Sequence, residues 1–321
     1  MRIWFQSGFF ILFVMAPVFD LFRFDLNVRH FFFLGMHWTL GLDDLIAQKI
    51  SAGEAAFNIA LRGALPIFGV IALGVWISWK YGRLYCGWLC PHFSVVETMN
   101  GMLRRTIGKQ SIWDRHTLPE RNADGSITKA NPWYWLAVVP LALAFAFTWA
   151  VALLTYLLPP AEIYGNLWHG TLTGNQARFI GIATFLFFIE FMFARHLFCR
   201  FGCAVGLFQS LAWMANRKAM VIGFDRKRGS ACIDCNAACE NVCPMRLKPR
   251  TIKRHMFTCT QCGQCANACA QVQADNPQGT LLKWVDQECA LDKSMRDFGH
   301  HDAAPEHCFG ASKSTPDTPR H

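Results

Sequence analysis

Apolar residues along this chain gather in four blocks separated by polar stretches, in place of the short alternation of a soluble core. The blocks run over about 3–22, 63–79, 133–158 and 177–198. A hydrocarbon layer of ~30 Å takes about 20 helical residues, so the pattern predicts four transmembrane helices. Pro17 interrupts the first block near its end, and Pro159-Pro160 close the third. Trp76 and Trp79 in the second block, and Trp133, Trp135 and Tyr156 flanking the third, suit membrane–water interfaces. Arg2 ahead of the first block gives it the start of a signal peptide, but no small-residue cleavage site follows, so an uncleaved anchor is expected. The run Phe31 to Trp38 is too short to span as a helix. It is expected to be a re-entrant segment or a hydrophobic loop packed on the bundle.

Charge gives these helices a direction. Lys80, Arg83, Arg104, Arg105, Lys109, Arg115, Arg121 and Lys129 follow the second block, and Arg195, Arg200, Arg217, Lys218, Arg226, Lys227 and Arg228 follow the fourth. The connection between the third and fourth blocks holds only Arg178. Cytoplasmic loops carry the Lys and Arg excess, so an even number of spans places both termini in the cytoplasm. The net charge of +9 therefore reads as membrane orientation. No recognition helix or zinc finger accompanies it, and nucleic acid is not expected as a partner. Glu190 inside the fourth block is expensive in lipid. Pairing with Arg195 or His196 is the expectation, with proton transfer beside a quinone as the alternative.

Ten of the 14 cysteines lie within Cys232–Cys308, and eight of these form two runs. The first is Cys232-x2-Cys235-x3-Cys239-x3-Cys243-Pro244; the second is Cys259-x2-Cys262-x2-Cys265-x3-Cys269. Bacterial ferredoxins use Cys-x2-Cys-x2-Cys-x3-Cys-Pro, with the fourth cysteine of each run ligating the other cluster. The spacing assigns Cys232, Cys235, Cys239 and Cys269 to one [4Fe–4S] cluster, and Cys259, Cys262, Cys265 and Cys243 to a second. One extra residue within Asn236-Ala237-Ala238 lengthens the first run, and Ala270 stands where proline is usual. Thiolate-held clusters need a reducing compartment, which agrees with the charge argument. Cys289 and Cys308 fit neither run; with His300, His301 and His307 they offer an adventitious metal site, the default being a loose polar tail through Ser312 to His321.

The remaining cysteines mark a repeat. Cys86 and Cys90 recur as Cys199 and Cys203, each 113 residues later and each after an apolar block. A parallel duplication is the simplest reading. If each Cys-x3-Cys pair is helical, its thiols share one face, and two pairs would supply four sulfurs to an additional metal. Redox cycling of the thiols and simple burial remain alternatives.

With these motifs the chain resembles the membrane-bound polyferredoxins. That family includes the accessory ferredoxin of cbb3-type oxidase assembly, the quinol-side ferredoxin of periplasmic nitrate reductase and the membrane part of the nitrous oxide reductase regulator. The resemblance rests on Cys86-Gly87-Trp88-Leu89-Cys90-Pro91, on Cys199 to Cys203, on the two cluster runs and on Phe24 to Arg29. It implies a protein of the bacterial cytoplasmic membrane, with its clusters on the cytoplasmic side. Such a protein would relay electrons from a membrane donor such as a quinol, or another membrane redox protein, to a redox partner. The alternative function is an accessory to the assembly or regulation of a respiratory metalloenzyme, by way of copper reduction. The expected organisation is a helical membrane domain over 1–228, a C-terminal 2[4Fe–4S] ferredoxin-like α+β domain over 229–285 and a tail over 286–321.

Overall fold

A computed structural model describes residues 2–295 and 308–309 of the chain. His300, His301, His307 and the stretch Ser312 to His321 lie outside the described residues. The chain forms two compact units, one of residues 1–76, 88–99 and 133–198, the other of 77–87, 100–132 and 199–321.

Among the described residues three helices are long and apolar enough to cross a membrane, α2 (Ala52–Tyr81), the span Pro132–Thr155 containing α5 (Trp135–Thr155), and α7 (Gly174–Gly202). The first block forms α1 (Arg2–Met15) instead, 14 residues against the ~20 that a span needs. The helix stops there because Ala16 to Asp20 turn around Pro17, with Asp20 at φ 51°. Within α2, residues Ile59–Ala64 widen into a π-helical stretch just before Pro66. Proline lacks the amide that an α-turn would use and its ring crowds the preceding turn, and the wider turn makes room.

The hydrophobic run after α1 becomes sheet. β1 (Phe22–Asp25), β2 (His30–Phe33) and β3 (Met36–Trp38) pair antiparallel in that order. The second hairpin closes on Leu34 and Gly35 at φ 49° and 74°, the left-handed pair that a two-residue turn requires. Phe31 packs on Phe22 and Phe24 across the sheet. β1 is tied to the end of α5 by amides of Phe24 and Leu26 donating to the carbonyls of Tyr156 and Leu157, both at 3.0 Å. Helix α5 packs against α7 through Ala150, Val151, Leu154 and Ile180. The short helix α6 (Pro160–His169) and a Thr173–Gln176 capping box join them.

The second unit contains α3 (Leu84–Trp88) up to Gly87, the end of α4 (Pro91–Ile107) and α8 (Ala204–Ala215). It then contains β4 (Val221–Phe224), α9 (Ala238–Asn241), α10 (Gln264–Val272), β5 (Leu282–Val285) and α11 (Gln287–Ser294). β4 and β5 pair antiparallel, Val221 opposite Val285 and Phe224 opposite Leu282. The two strands therefore bracket both cysteine runs. Cys289 of α11 is disulfide-bonded to Cys308, with Cα atoms 5.6 Å apart, where the sequence suggested a loose tail with an adventitious metal site as the alternative.

The Thr173 side chain accepts from the Gln176 amide while the Gln176 side chain accepts from the Thr173 amide. Thr173→Ala removes half of that cap. It should cost about 1 kcal/mol, read as a lower unfolding midpoint of the detergent-solubilised protein.

Candidate functional site

The two cysteine runs wrap two cavities. The first is lined by Cys232, Cys235, Cys239 and Cys269; the second by Cys243, Cys259, Cys262 and Cys265. In each, three cysteines of one run meet the fourth of the other, the crossed arrangement that the spacing predicts. The cavities share a wall, because Cys239 packs with Cys265, Ile222 and Leu282 in one small core. Local geometry sets this up. The first three thiols lie on the 3-10 turn Gly229–Cys235 and on α9, while Cys265 and Cys269 lie one turn apart on α10.

The chemistry of this donor set fits a polycationic iron–sulfide core. Burial pushes Cys239 up to about 12, Cys243 and Cys259 up to about 11, and raises Cys265 as well. Thiolates cannot persist there without nearby positive charge. Among the described residues no three His, Cys, Asp or Glu side chains converge as they would on a single metal ion. A cubane holds its four sulfurs much farther apart than a lone ion does.

Cations also surround the second cavity. Lys293 is 2% exposed and donates to the carbonyl of Pro249, which lines that cavity. Arg83, also 2% exposed, donates to the carbonyls of Thr258 and Cys199, at 3.5 and 3.0 Å. Neither forms an ion pair with a carboxylate among the described residues, which would be costly without an anion nearby. At the first cavity Arg250 is instead paired with Glu240 at 2.6 Å.

The Cys-x3-Cys pairs depart from the helical expectation. Cys86 sits on the short helix α3 and Cys199 in the π-helical end of α7, and in each pair the second cysteine begins a new helix. Cys90 immediately precedes Pro91, the first residue of α4, and Cys203 caps α8, its sulfur accepting the Gly206 amide at 3.4 Å. Cys86 is 7% exposed and donates to Gln209 at 3.2 Å, and Cys203 is near enough for the two charges to oppose. Burial pushes the Cys86 thiol up despite the neighbouring Arg83. Cys86, Cys199 and Cys203 belong to one unit and Cys90 to the other.

Gly87 joins this motif to the second cavity. A methyl group there would collide with the carbonyl of Thr260 and lie 3.0 Å from the Cys262 Cα. The turn carrying Cys86 therefore lies directly on the Cys259–Cys262 loop. Sequence reasoning missed Gly87, Arg83 and Lys293, whose roles depend on neighbours far along the chain.

In the other unit, Glu190 lies 3.0 Å from His92, a partner the sequence did not suggest, while its charge also acts on the expected Arg195. Arg195 donates to the carbonyls of Phe191 and Met192 in its own helix. Glu190 opens a π-helical turn, Glu190–Ala194, and Trp149, Phe191 and Phe198 surround the His92 ring.

A family model described as a 4Fe-4S binding domain matches this chain twice, over residues 62–110 and 175–220. The matches begin 113 residues apart, the offset of the cysteine pairs, so they register the duplication and cover Cys86, Cys90, Cys199 and Cys203. The methylamine utilization ferredoxin-type protein MauN of Paracoccus denitrificans is 28% identical over 64% of this chain and 62% of its own length. The ferredoxin-type protein NapH of Escherichia coli is 24% identical over 73% of this chain and 74% of its own. The putative electron transport protein YccM of Escherichia coli is 23% identical over 60% of this chain, which spans only half of that relative. No solved structure matches.

Gly87→Ala should force the Cys259–Cys262 loop to move. We expect a loss of about 1–3 kcal/mol in stability and a fall in iron bound per chain. Thermal unfolding and iron analysis of anaerobically prepared protein check it; unchanged values would show that the contact is slack.

Proposed function

We infer that this chain, a member of the membrane polyferredoxin family, relays electrons from a quinol in the membrane through two [4Fe–4S] clusters to a redox partner. The observation that carries this reading is the pair of adjoining four-thiol cavities with the Cys86 turn packed on one of them. Each cubane would supply one-electron storage without bond making. Cys232, Cys235, Cys239 and Cys269 would hold one, and Cys243, Cys259, Cys262 and Cys265 the other. Arg83 and Lys293 stabilise added negative charge beside the second cavity, and Gly87 keeps the Cys86 turn in contact with its loop. Cys86, Cys199 and Cys203, which share one unit, remain candidates for an additional metal or for thiol redox chemistry, supported by the 4Fe-4S family match over them.

Oxidising a quinol releases two protons as well as two electrons, so a donor site needs a proton acceptor within the membrane region. The His92–Glu190 pair supplies an acceptor on a distorted turn of a span, among aromatic rings suited to a quinone head. For orientation, the second unit carries 24 Lys and Arg against 14 Asp and Glu, which favours the cytoplasmic side of the bacterial inner membrane. Relatives named for methylamine utilization and for electron transport support a redox protein as partner. Maturation of a metalloenzyme through copper reduction is less well supported, because the Cys86 thiol is buried and raised by burial.

Anaerobically purified protein should hold about eight irons per chain and give two interacting EPR signals on reduction. Cys232→Ser and Cys262→Ser should each remove one signal and leave the other. Iron-free protein after reconstitution would end the relay reading. Glu190→Gln should slow cluster reduction by quinol at least about tenfold while reduction by dithionite is unchanged. Equal quinol rates in both proteins would remove the pair from the donor site.

A further inference from the structure

The extra residue in the first cysteine run is the feature that the relay leaves unexplained. It produces an unusual backbone: Asn236 and Ala237 stand at φ 50° and 53°, two consecutive non-glycine residues in the left-handed region. Such residues are strained and persist only where their surroundings hold them. Here the Asn241 side chain donates to the Asn236 carbonyl at 2.8 Å and pins the loop. Asn236 and Ala238 of this loop form part of the wall of an open groove of about 700 Å³.

That groove reaches a cluster ligand. Cys235, Ala238 and Val272 line both the first four-thiol cavity and the groove, so one layer of protein separates the two spaces. The opposite wall comes from Arg104 and the Arg121–Gly125 turn. Asp124 and Asp275 add carboxylates, but Asp124 is engaged with the amide and hydroxyl of Ser126. Arg121 is exposed and forms no ion pair among the described residues. Ile233, on the same cysteine loop, is 80% exposed, an apolar contact point beside Cys232.

We propose that this groove is the docking surface through which an acidic protein electron carrier exchanges electrons with the first cavity's cluster. The proposal rests on the relay reading and adds to it the exchange surface and the kind of partner. The choice of an acidic carrier follows from charge. The unit bearing the groove has a net charge of +10, from 24 basic against 14 acidic side chains, and the other unit has 7 against 8. The balance stays positive when the small net negative charge of two thiolate-held cubanes is counted. Such a field raises encounter rates with an acidic partner, while an apolar residue beside a ligand gives a short-lived complex its contact. The exchange moves one electron between the partner's cofactor and the cluster, with no bond formed or broken.

The test uses the full chain in detergent and flavodoxin hydroquinone, an acidic one-electron donor, mixed anaerobically with oxidised protein while the cluster absorbance bleaches. The second-order rate should fall as salt is raised. Arg121→Glu should lower it at least about fivefold, while Lys248→Glu, an exposed charge that does not line the groove, should leave it within about twofold. In all variants the iron content and the dithionite-reduced EPR signals should match the parent protein. Equal rates for Arg121→Glu and the parent, or a larger loss with Lys248→Glu, would overturn the docking surface and leave the relay standing. Absence of iron from the parent protein would instead bring down the relay itself.

Discussion

Thiolate buried away from water needs positive charge nearby, and most of the second unit is arranged around that need. Eight cysteines line two adjoining cavities, and burial drives several of their thiols far toward the neutral form. Arg83 and Lys293 lie buried beside the second cavity with no salt bridge to a carboxylate among the described residues. Each set would be a large uncompensated cost by itself. A net anionic cluster among buried cations, with a cationic core among buried thiolates, resolves both. On this view the metal-free unit is expected to be a strained or partly unfolded state, as in other small metal-dependent domains.

The two cavities are not electrostatically equivalent. Arg250 beside the first is neutralised by Glu240, whereas Arg83 and Lys293 beside the second are not neutralised in this way. The second is also the site on which the Cys86 turn rests through Gly87, and the first is the one whose wall opens to the groove. The order Cys86 turn, second cavity, first cavity, groove thus follows from packing within a single unit.

Duplication explains why a membrane segment carries cysteines at all. Each copy is an apolar helix, a first cysteine at or just beyond its end, and a second cysteine at the start of a new helix. The break at the second cysteine prevents the i, i+4 pairing of a continuous helix. Within the other unit, the pairing of His92 with Glu190 gives the buried carboxyl a partner that the neighbouring sequence did not suggest.

The crossed cysteine sets, the repeat and the apolar spans could be read directly from the chain, because each depends on residue type at fixed spacing. Ligand spacing within a run is a local constraint, and a lipid-crossing helix needs only enough consecutive apolar residues. What the sequence left open depends on contacts between residues distant along the chain. Phe31 to Trp38 reads as a hydrophobic run, and only pairing with Phe22 to Asp25 makes it a sheet. The first apolar block has the composition of a span, yet the turn at Pro17 ends its helix after 14 residues. Gly87 is an ordinary glycine until the Thr260 carbonyl lies against it, and Arg83 is one more basic residue until it is buried without a carboxylate. Residue type and spacing determined which cysteines form the two sets; tertiary packing decided which charges and surfaces surround them, because burial and proximity are set by the whole fold.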